Sequence, residues 1–299
     1  MSRIFPDLQE DLLLSLFHKG AKHQWVATDL DWDVPIDMSP EQHRALARLL
    51  SPILLGEQTA MVGASAIIPR LIEAGETTAQ LYLTSFMMDE ARHVEVLARL
   101  YRYVGQDPMR VRELPEMLRY HHRLRTGHRL DWVWGILISD LFGKHFYRSF
   151  VEAQFPAMFA QIATRILQDE SRHLAFAEHY MRRNVPHLDA PRRRELLVMR
   201  DDLYRLIEVL IVRLHGDCEA LGFDGKLALT RLWVELEAIV RRVGLADEPP
   251  VSGLPAVTEE GGPPPREKPA AKPFALSISL PRCFGCLLTT LCQTRLAPA

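Results

Sequence analysis

The sequence predicts an all-α protein with a four-helix bundle at its centre. Apolar residues recur at helical spacing through several long segments. A five-residue motif occurs twice inside such segments, as DEARH at 89–93 and as DESRH at 169–173. No stretch of 1–245 shows the polar–apolar alternation that is typical of strands. Together these observations indicate helices packed side by side around a shared interior.

Composition and charge limit the classes of function. The chain has 299 residues and a net charge of −2, which gives no argument for binding nucleic acid or an anionic membrane. We see no signal peptide and no apolar window long enough for a membrane span, which needs roughly 18 residues. Only Cys218 of the four cysteines lies within the main domain, so no disulfide framework is expected and a reducing, cytoplasmic setting follows.

The composition divides the chain into two parts. Residues 1–245 are expected to form the helical domain, and 246–299 a Pro/Gly-rich linker and tail without a packed core. The tail carries Cys283, Cys286 and Cys292, which could receive electrons or bind a metal. A disordered extension is the preferred interpretation.

The first bundle helix follows an irregular segment with two tryptophans, Trp25 and Trp32, which we expect to cover the bundle as a lid. Ser39 and Gln42 form a capping box at the start of this helix, and Gly75 is expected to end it. Pro52 predicts a kink or a restart within the same helix.

Three further bundle helices follow in order. The second starts near Thr77, and a polar connection with Pro108 and Pro115 runs to about residue 127. The third contains 130–142, which is apolar on nearly every side and predicts a central position. Pro156 marks the turn into the fourth. Two packing helices are predicted over about 191–215 and 224–243.

Each motif holds a Glu and a His three residues apart, which places both side chains on one helix face. Each predicted hairpin adds one further carboxylate at a similar height, because the turn lies near the midpoint between the paired acids. A solvated, ion-paired helix face is the ordinary alternative. The predicted metal ligands are Glu57, Glu90, His93, Asp140, Glu170 and His173.

Electrostatics favours metal at this level of the bundle. Four carboxylates in an apolar interior would be costly to ionise, whereas two divalent cations balance their charge. Oxygen-rich ligands with two imidazoles suit iron or manganese better than structural zinc. Asp89 and Asp169 could each accept the free ring N–H of the histidine in the opposite motif. Arg92 and Arg172 could pair with these aspartates or lie on the surface.

These residues resemble the ferritin-like superfamily of di-iron carboxylate proteins over about 25–185. The resemblance is greatest to ribonucleotide reductase small subunits and their relatives, among them ligand-binding oxidases, monooxygenase hydroxylases and amine N-oxygenases. In that superfamily the third-helix ligand is usually Glu, whereas Asp140 stands here. The resemblance implies an O₂-dependent di-iron oxidase or monooxygenase, with Fe/Fe or Mn/Fe ions and O₂ as co-substrate.

A small-molecule substrate is expected. No flavin, nicotinamide or ferredoxin motif is visible, so a separate electron-donating reductase is expected to supply electrons. A homodimer is one assembly that the sequence leaves open. Candidate residues of the substrate pocket are Ala60, Phe86, Met87, Ser139 and Phe142. Lys144 could pair with Asp140, bind a substrate acid group or reach solvent.

Two departures from related proteins favour direct oxidation of a small molecule. In ribonucleotide reductase small subunits a radical tyrosine commonly lies four residues after the histidine of the first motif, and Leu97 stands at that position here. Ligand-binding oxidases form a Val–Tyr cross-link near the metals, and the corresponding positions here are Ala60 and Gly135. The alternatives are a ribonucleotide reductase-like radical-generating protein, a ferroxidase or iron-binding protein, and a bundle without metal.

Overall fold

The protein is all-α in the described part of the computed structural model, which comprises residue 8 and residues 11–125, 128–152 and 155–246. These residues form no strand, as the sequence predicts. The helices are α1 (Asp11–Lys22), α2 (Pro40–Glu73), α3 (Thr77–Val104), α4 (Pro115–Arg125), α5 (Arg129–Glu152), α6 (Ala157–Asn184), α7 (Ala190–Arg213), α8 (His215–Ala220) and α9 (Gly225–Arg242).

Two helical hairpins form the bundle. Helix α2 packs along α3, and α5 packs along α6; α2 also contacts α5, and α3 contacts α6, which closes the ring. The capping box predicted for α2 is confirmed, because Ser39 Oγ accepts from Gln42 N at 3.2 Å and Gln42 Oε1 accepts from Ser39 N at 2.9 Å. Gly75 has φ = 71° in the turn to α3, a conformation that glycine adopts without steric cost.

Helix α2 continues through Pro52, so the predicted restart at this proline is wrong. Ser51 serves tertiary structure instead of capping a new helix. Its hydroxyl donates to Ala47 O at 2.7 Å and accepts from Met109 N at 2.9 Å. This side chain therefore anchors the segment after α3 to the middle of α2.

The predicted polar connection between the hairpins contains a helix, α4, which the sequence analysis missed. Arginines and histidines lower its mean hydropathy, but one face is buried through Tyr120 and Leu124. Tyr120 Oη donates to Gly135 O at 2.7 Å, and the Leu124 side chain lies where a side chain at Gly135 would stand. Helix α4 thereby docks on α5, and both contact α7.

The remaining helices cover the bundle. Helix α1 packs on α3 and α6, and α7 and α9 pack on α5, as expected for packing helices. No helix of the described ranges is both long and apolar enough to cross a membrane. The predicted linker and tail, with Cys283, Cys286 and Cys292, lie outside the described residues except for Ala246.

Gly63 sets the close approach of α2 to Trp132. A Cβ at Gly63 would stand 1.7 Å from Trp132 Nε1, and the indole is buried and cannot move aside without repacking. Gly63→Ala is therefore expected to lower the free energy of unfolding by about 1–3 kcal/mol, measured by urea denaturation.

Gly56 on the same helix is the matched control, because a Cβ there meets no atom within 4 Å. Gly56→Ala is expected to raise the free energy of unfolding by roughly 0.5–1 kcal/mol, since alanine favours the helix. Equal effects of the two substitutions would contradict this assignment of the contact.

Candidate metal centre

The structure brings the six predicted ligand residues together inside the bundle, and all six are buried. Potential ligand atoms fall into two groups whose members lie within 4.8 Å of one another. The first group is Glu57, Glu90, His93 and Glu170, and the second is Asp140, Glu170 and His173. Glu170 belongs to both groups, so its carboxylate lies between them.

Each histidine turns its Nδ1 atom towards the carboxylates. His93 Nδ1 lies 3.4 Å from Glu57 Oε2 and 3.7 Å from Glu170 Oε1. His173 Nδ1 lies 3.3 Å from Glu90 Oε1 and 3.5 Å from Glu170 Oε2. Because one imidazole nitrogen binds one metal ion, two sites that share Glu170 could form here.

The opposite ring nitrogens bind the two aspartates in the crossed arrangement that the sequence suggested. His93 Nε2 lies 3.3 Å from Asp169 Oδ2, and His173 Nε2 lies 3.3 Å from Asp89 Oδ2. An ionised carboxylate only accepts, so each Nε2 carries a proton and donates it. When the ring is neutral, the lone pair is therefore at Nδ1, where a metal ion would need it.

The two arginines of the motifs are buried and hold the aspartates, which excludes a role as surface decoration. Arg92 Nη2 binds Asp89 and lies 3.2 Å from Asp169 Oδ2. Arg172 Nη2 lies 2.9 Å from Asp89 Oδ2 and 2.5 Å from Asp169 Oδ1. The four side chains form a closed network of ion pairs behind the histidines.

Trp25 completes this network, and the sequence analysis missed the contact. Its Nε1 donates to Asp169 Oδ2 at 2.8 Å, and the guanidinium groups of Arg92 and Arg165 lie 5.6 and 5.7 Å from the ring centroid. Trp25 is buried against α3 and α6, and Trp32 packs against the core, which agrees with the expected cover over the bundle. Its segment has no periodic pattern, so no sequence signal indicated its partner.

The titration behaviour of the cluster follows from burial and crowding. Burial and the charge of Glu57 raise the pKa of Glu90 well above its usual value, and burial with the charge of Glu170 does the same for Asp140. Burial alone would lower the pKa values of both histidines. The surrounding carboxylates, Glu57 for His93 and Glu170 for His173, outweigh it and raise them well above the usual value.

Several atoms that could bind a cation have no hydrogen-bond partner. They are Glu90 Oε2, Asp140 Oδ2, Glu170 Oε2 and His173 Nδ1, all buried. Buried polar atoms are rarely left unpaired, because each costs about 1–3 kcal/mol. Their convergence on one region, with oxygen and imidazole donors, fits two divalent cations such as iron or manganese.

A cavity of about 50 Å³ adjoins the cluster, and Glu57, Asp140 and Glu170 line it. Of the predicted pocket residues, Ala60, Ser139 and Phe142 also line it. Phe86 instead packs on the His173 ring at a centroid distance of 4.4 Å, and Met87 is a half-buried neighbour of the core. Lys144 Nζ lies 2.6 Å from Glu235 Oε1, so Lys144 forms an ion pair with Glu235 and not with Asp140.

Tyr147 is a further residue of this cavity that the sequence analysis did not single out. Its hydroxyl is buried without a hydrogen-bond partner, and burial together with the charges of Glu57 and Glu170 raises its pKa well above the usual value. The residue lies seven positions after Asp140 on α5, two helical turns away on the same face, and this spacing could have identified it.

Comparison with solved structures supports the fold. The chain is similar to an R2-like ligand-binding oxidase with an aerobically reconstituted Mn/Fe cofactor, with a TM-score of 0.63 and 18% identity over 79% of this chain and 93% of that one. A point mutant of such an oxidase, with an anaerobically reconstituted Mn/Fe cofactor, gives 0.63 and 18% over 78% and 93%. These similarities show a ferritin-like fold of the kind found in ribonucleotide reductase small subunits.

The family comparison covers the chain from within α2 to within α9. The family described as p-aminobenzoate N-oxygenase AurF matches residues 65–238. The match contains both motifs and Asp140, and it begins after Glu57. Because it extends over more than half of the sequence, the chain belongs to the p-aminobenzoate N-oxygenase AurF family.

Proposed function

We propose that the protein is an oxidoreductase that uses two metal ions, iron in both sites or manganese with iron, to activate O₂ and oxidise a small organic molecule. The observation that carries the proposal is the convergence of four carboxylates and two Nδ1 atoms in the buried interior. A stability role alone would not explain several unpaired polar atoms directed into one region.

The proposed ligands are Glu57, Glu90, His93, Asp140, Glu170 and His173. Bound redox-active ions would supply binding positions and electrons for O₂. The protein's own part is to orient the two imidazoles through Asp89 and Asp169, to place Glu170 between the sites, and to exclude water with the surrounding apolar side chains.

Substrate and electron donor belong to the same proposal. The family name refers to oxygenation of nitrogen in an aromatic amine, so aromatic amines are the first class of substrate to test. Reduction of O₂ consumes more electrons than oxygenation of one amine provides, so turnover requires a separate reductase or a chemical reductant.

Reconstitution with Fe(II) followed by O₂ tests the proposal. We expect about two iron ions per chain by elemental analysis, and incorporation of ¹⁸O from ¹⁸O₂ into an aromatic amine in the presence of reductant. His173→Ala is the matched control, since it removes one proposed ligand from the described cluster. Less than one bound ion after loading with both iron and manganese would exclude the proposal.

A second candidate function, generation of a stored tyrosyl radical for another protein, is favoured by one observation. Tyr147 lines the same cavity as Glu57 and Glu170, although Leu97 occupies the position where related proteins carry their tyrosine. EPR after exposure of the Fe(II) protein to O₂ separates the two functions. A long-lived tyrosyl signal that Tyr147→Phe abolishes would favour radical storage, and its absence with product formation would favour direct oxidation.

Asp169 is expected to raise metal affinity without binding a metal. Asp169→Asn removes the charge that accepts from His93 Nε2, Trp25 Nε1 and Arg92. We expect metal affinity to fall roughly 10- to 100-fold, measured by competition with a chelator.

Asp201→Asn is the matched control, because Asp201 is also buried and paired with an arginine, Arg200, at 2.8 Å. It lies on α7, outside the cluster, so it is expected to change stability but not metal affinity. A comparable loss of affinity in both variants would show a general effect of buried charge instead of support for His93.

A further inference from the structure

Two cavities meet at one side chain. The cavity beside the cluster is about 50 Å³. A second, larger basin of about 650 Å³ opens between α1, α5, α6 and α9. Among the residues that the structure describes, Glu170 is the one that lines both spaces. Glu170 therefore lies between the centre of the bundle and the outer basin.

Size distinguishes the two spaces. A cavity that holds a single benzene ring has a volume of about 150 Å³, so the inner space accommodates a diatomic gas or a few waters but no ring. The outer basin falls within the range of roughly 300–1,000 Å³ that small-molecule pockets occupy. An organic substrate of one or two rings fits the basin, and Glu170 lies between the basin and the rest of the cluster.

The lining of the basin suits a molecule with an apolar body. Leu12, Leu167 and Leu174 form its apolar part. Several charged lining residues form ion pairs: Lys144 Nζ lies 2.6 Å from Glu235 Oε1, Arg148 Nε lies 2.9 Å from Glu152 Oε1, and Glu178 Oε1 lies 2.7 Å from Arg242 Nε. Arg182 also lines the basin. His145 Nε2 also lies 3.0 Å from Glu235 Oε2, which ties α5 to α9 beside the basin.

Glu170 is held loosely for a buried carboxylate. Its Oε2 atom has no hydrogen-bond partner, and its oxygens lie 3.7 and 3.5 Å from the Nδ1 atoms of His93 and His173. The neighbouring acids Asp89 and Asp169, in contrast, bind arginines and histidines directly. No short hydrogen bond from a protein group holds the Glu170 side chain, whereas several hold each aspartate. In the loaded protein the proposed metal ions would be the groups that hold the Glu170 carboxylate, so its movement would require a change in its bonds to them.

We propose that the outer basin is the docking site and access route for the organic substrate, and that Glu170 is the movable wall through which the basin communicates with the metal centre. This proposal rests on the proposed function, since it assigns the substrate site of the same centre. The substrate class is a small organic molecule of one or two rings with an apolar body. Leu167 and Leu174, one helical turn on either side of Glu170, would contact it first.

The rate at which 2,2′-bipyridine removes Fe(II) from the loaded protein tests the route, because this chelator is itself a two-ring aromatic molecule. Ala175→Trp fills the basin from an exposed position and is expected to slow removal about tenfold, since the chelator must then wait for a local opening of the fold. Leu174→Ala enlarges the basin beside Glu170 and is expected to speed removal.

Two further variants control for general effects of a new tryptophan. Thr164→Trp lies on an exposed face of α6 outside both cavities and is expected to leave the rate unchanged. Met117→Trp narrows the inner cavity from the α4 side and is expected to slow removal less than Ala175→Trp. Removal slowed by Met117→Trp alone, or unaffected by Ala175→Trp, would overturn the route.

The outcome separates the two proposals. If wild-type protein binds two ions and neither basin substitution changes the rate of iron removal, the access route is overturned and the proposed function remains. A wild-type chain that binds no Fe(II) would overturn both. Slowing by Ala175→Trp with unchanged iron content would support the route independently of any turnover measurement.

Discussion

The metal-free protein is expected to lose stability as the pH rises from about 6.5 to 9. Glu90, Asp140, His93 and His173 all have pKa values raised well above their usual range in the folded state. A raised pKa contributes stability that is present at low pH and is lost as the pH rises. Each proton kept by the folded state and released by the unfolded state changes stability by about 1.4 kcal/mol per pH unit.

Metal binding is expected to reverse this trend by releasing the same protons. Ligand atoms must be deprotonated to coordinate, so the four groups would release one proton each when two divalent ions bind. The increase in Tm on loading with Mn(II) should therefore grow as the pH rises. Thermal denaturation across this range, with and without metal, measures the first effect. Calorimetry in buffers of different ionisation enthalpy counts the protons.

Glu90→Gln provides the control, since an amide keeps the shape and cannot titrate. Its metal-free form is expected to show a shallower loss of stability, by the contribution of one proton. The pKa values of Asp89 and Glu57 are lowered in the folded state. A carboxyl group with a lowered pKa loses its contribution to stability only as the pH falls into the acid range, so these two groups do not affect the result between about pH 6.5 and 9. A stability that rises with pH between 6.5 and 9 would show that the cluster is not protonated as described.

Glu170→Ala is expected to remove both metal ions, whereas Asp140→Asn is expected to remove one. The reason is geometric: Glu170 belongs to both groups of ligand atoms, and Asp140 belongs only to the group with His173. Loss of a residue that belongs to both groups would leave each ion with fewer donors, whereas the group of Glu57, Glu90 and His93 is unchanged by the substitution at Asp140. Elemental analysis after equilibrium loading gives about two ions for wild type and about one for Asp140→Asn.

Both substitutions are also expected to lower the activity of the protein. Either substitution is expected to lower ¹⁸O incorporation by at least about 100-fold, because a centre that needs two ions loses at least one. Gln168→Ala on the same helix, exposed and outside both ligand groups, is the control and should bind two ions. Two ions retained in Asp140→Asn would show that this shorter acid does not coordinate.

The repeated motif made the centre of the fold predictable from sequence. A Glu and a His three residues apart, placed on a buried stripe in two hairpins, determine which faces meet, because the helical repeat leaves little choice. The capping box at Ser39 likewise depends on residues only three positions apart. The crossed pairing of Asp89 with His173 could be anticipated for a different reason: a buried metal-binding imidazole needs a partner for its second ring nitrogen, and the opposite motif offers an aspartate.

What the sequence did not reveal depends on contacts between distant segments. Helix α4 is rich in arginine and histidine, and its burial becomes evident only when Gly135 provides space for Leu124. Trp25 lies 144 residues from Asp169 in an aperiodic segment, so no spacing rule connects them. The basin beside Glu170 likewise depends on how four helices converge.

The crossed aspartate–histidine pairs have a consequence for how the protein acquires metal during synthesis. Each histidine is oriented by an acid from the other hairpin, 76 and 84 residues away. While only the N-terminal half of the chain has been synthesised, His93 has no aspartate to orient its ring. This half alone is therefore not expected to bind a metal ion tightly. The site is expected to select between metal ions only after both hairpins have been synthesised and folded, because the ligand geometry that distinguishes the ions forms only then.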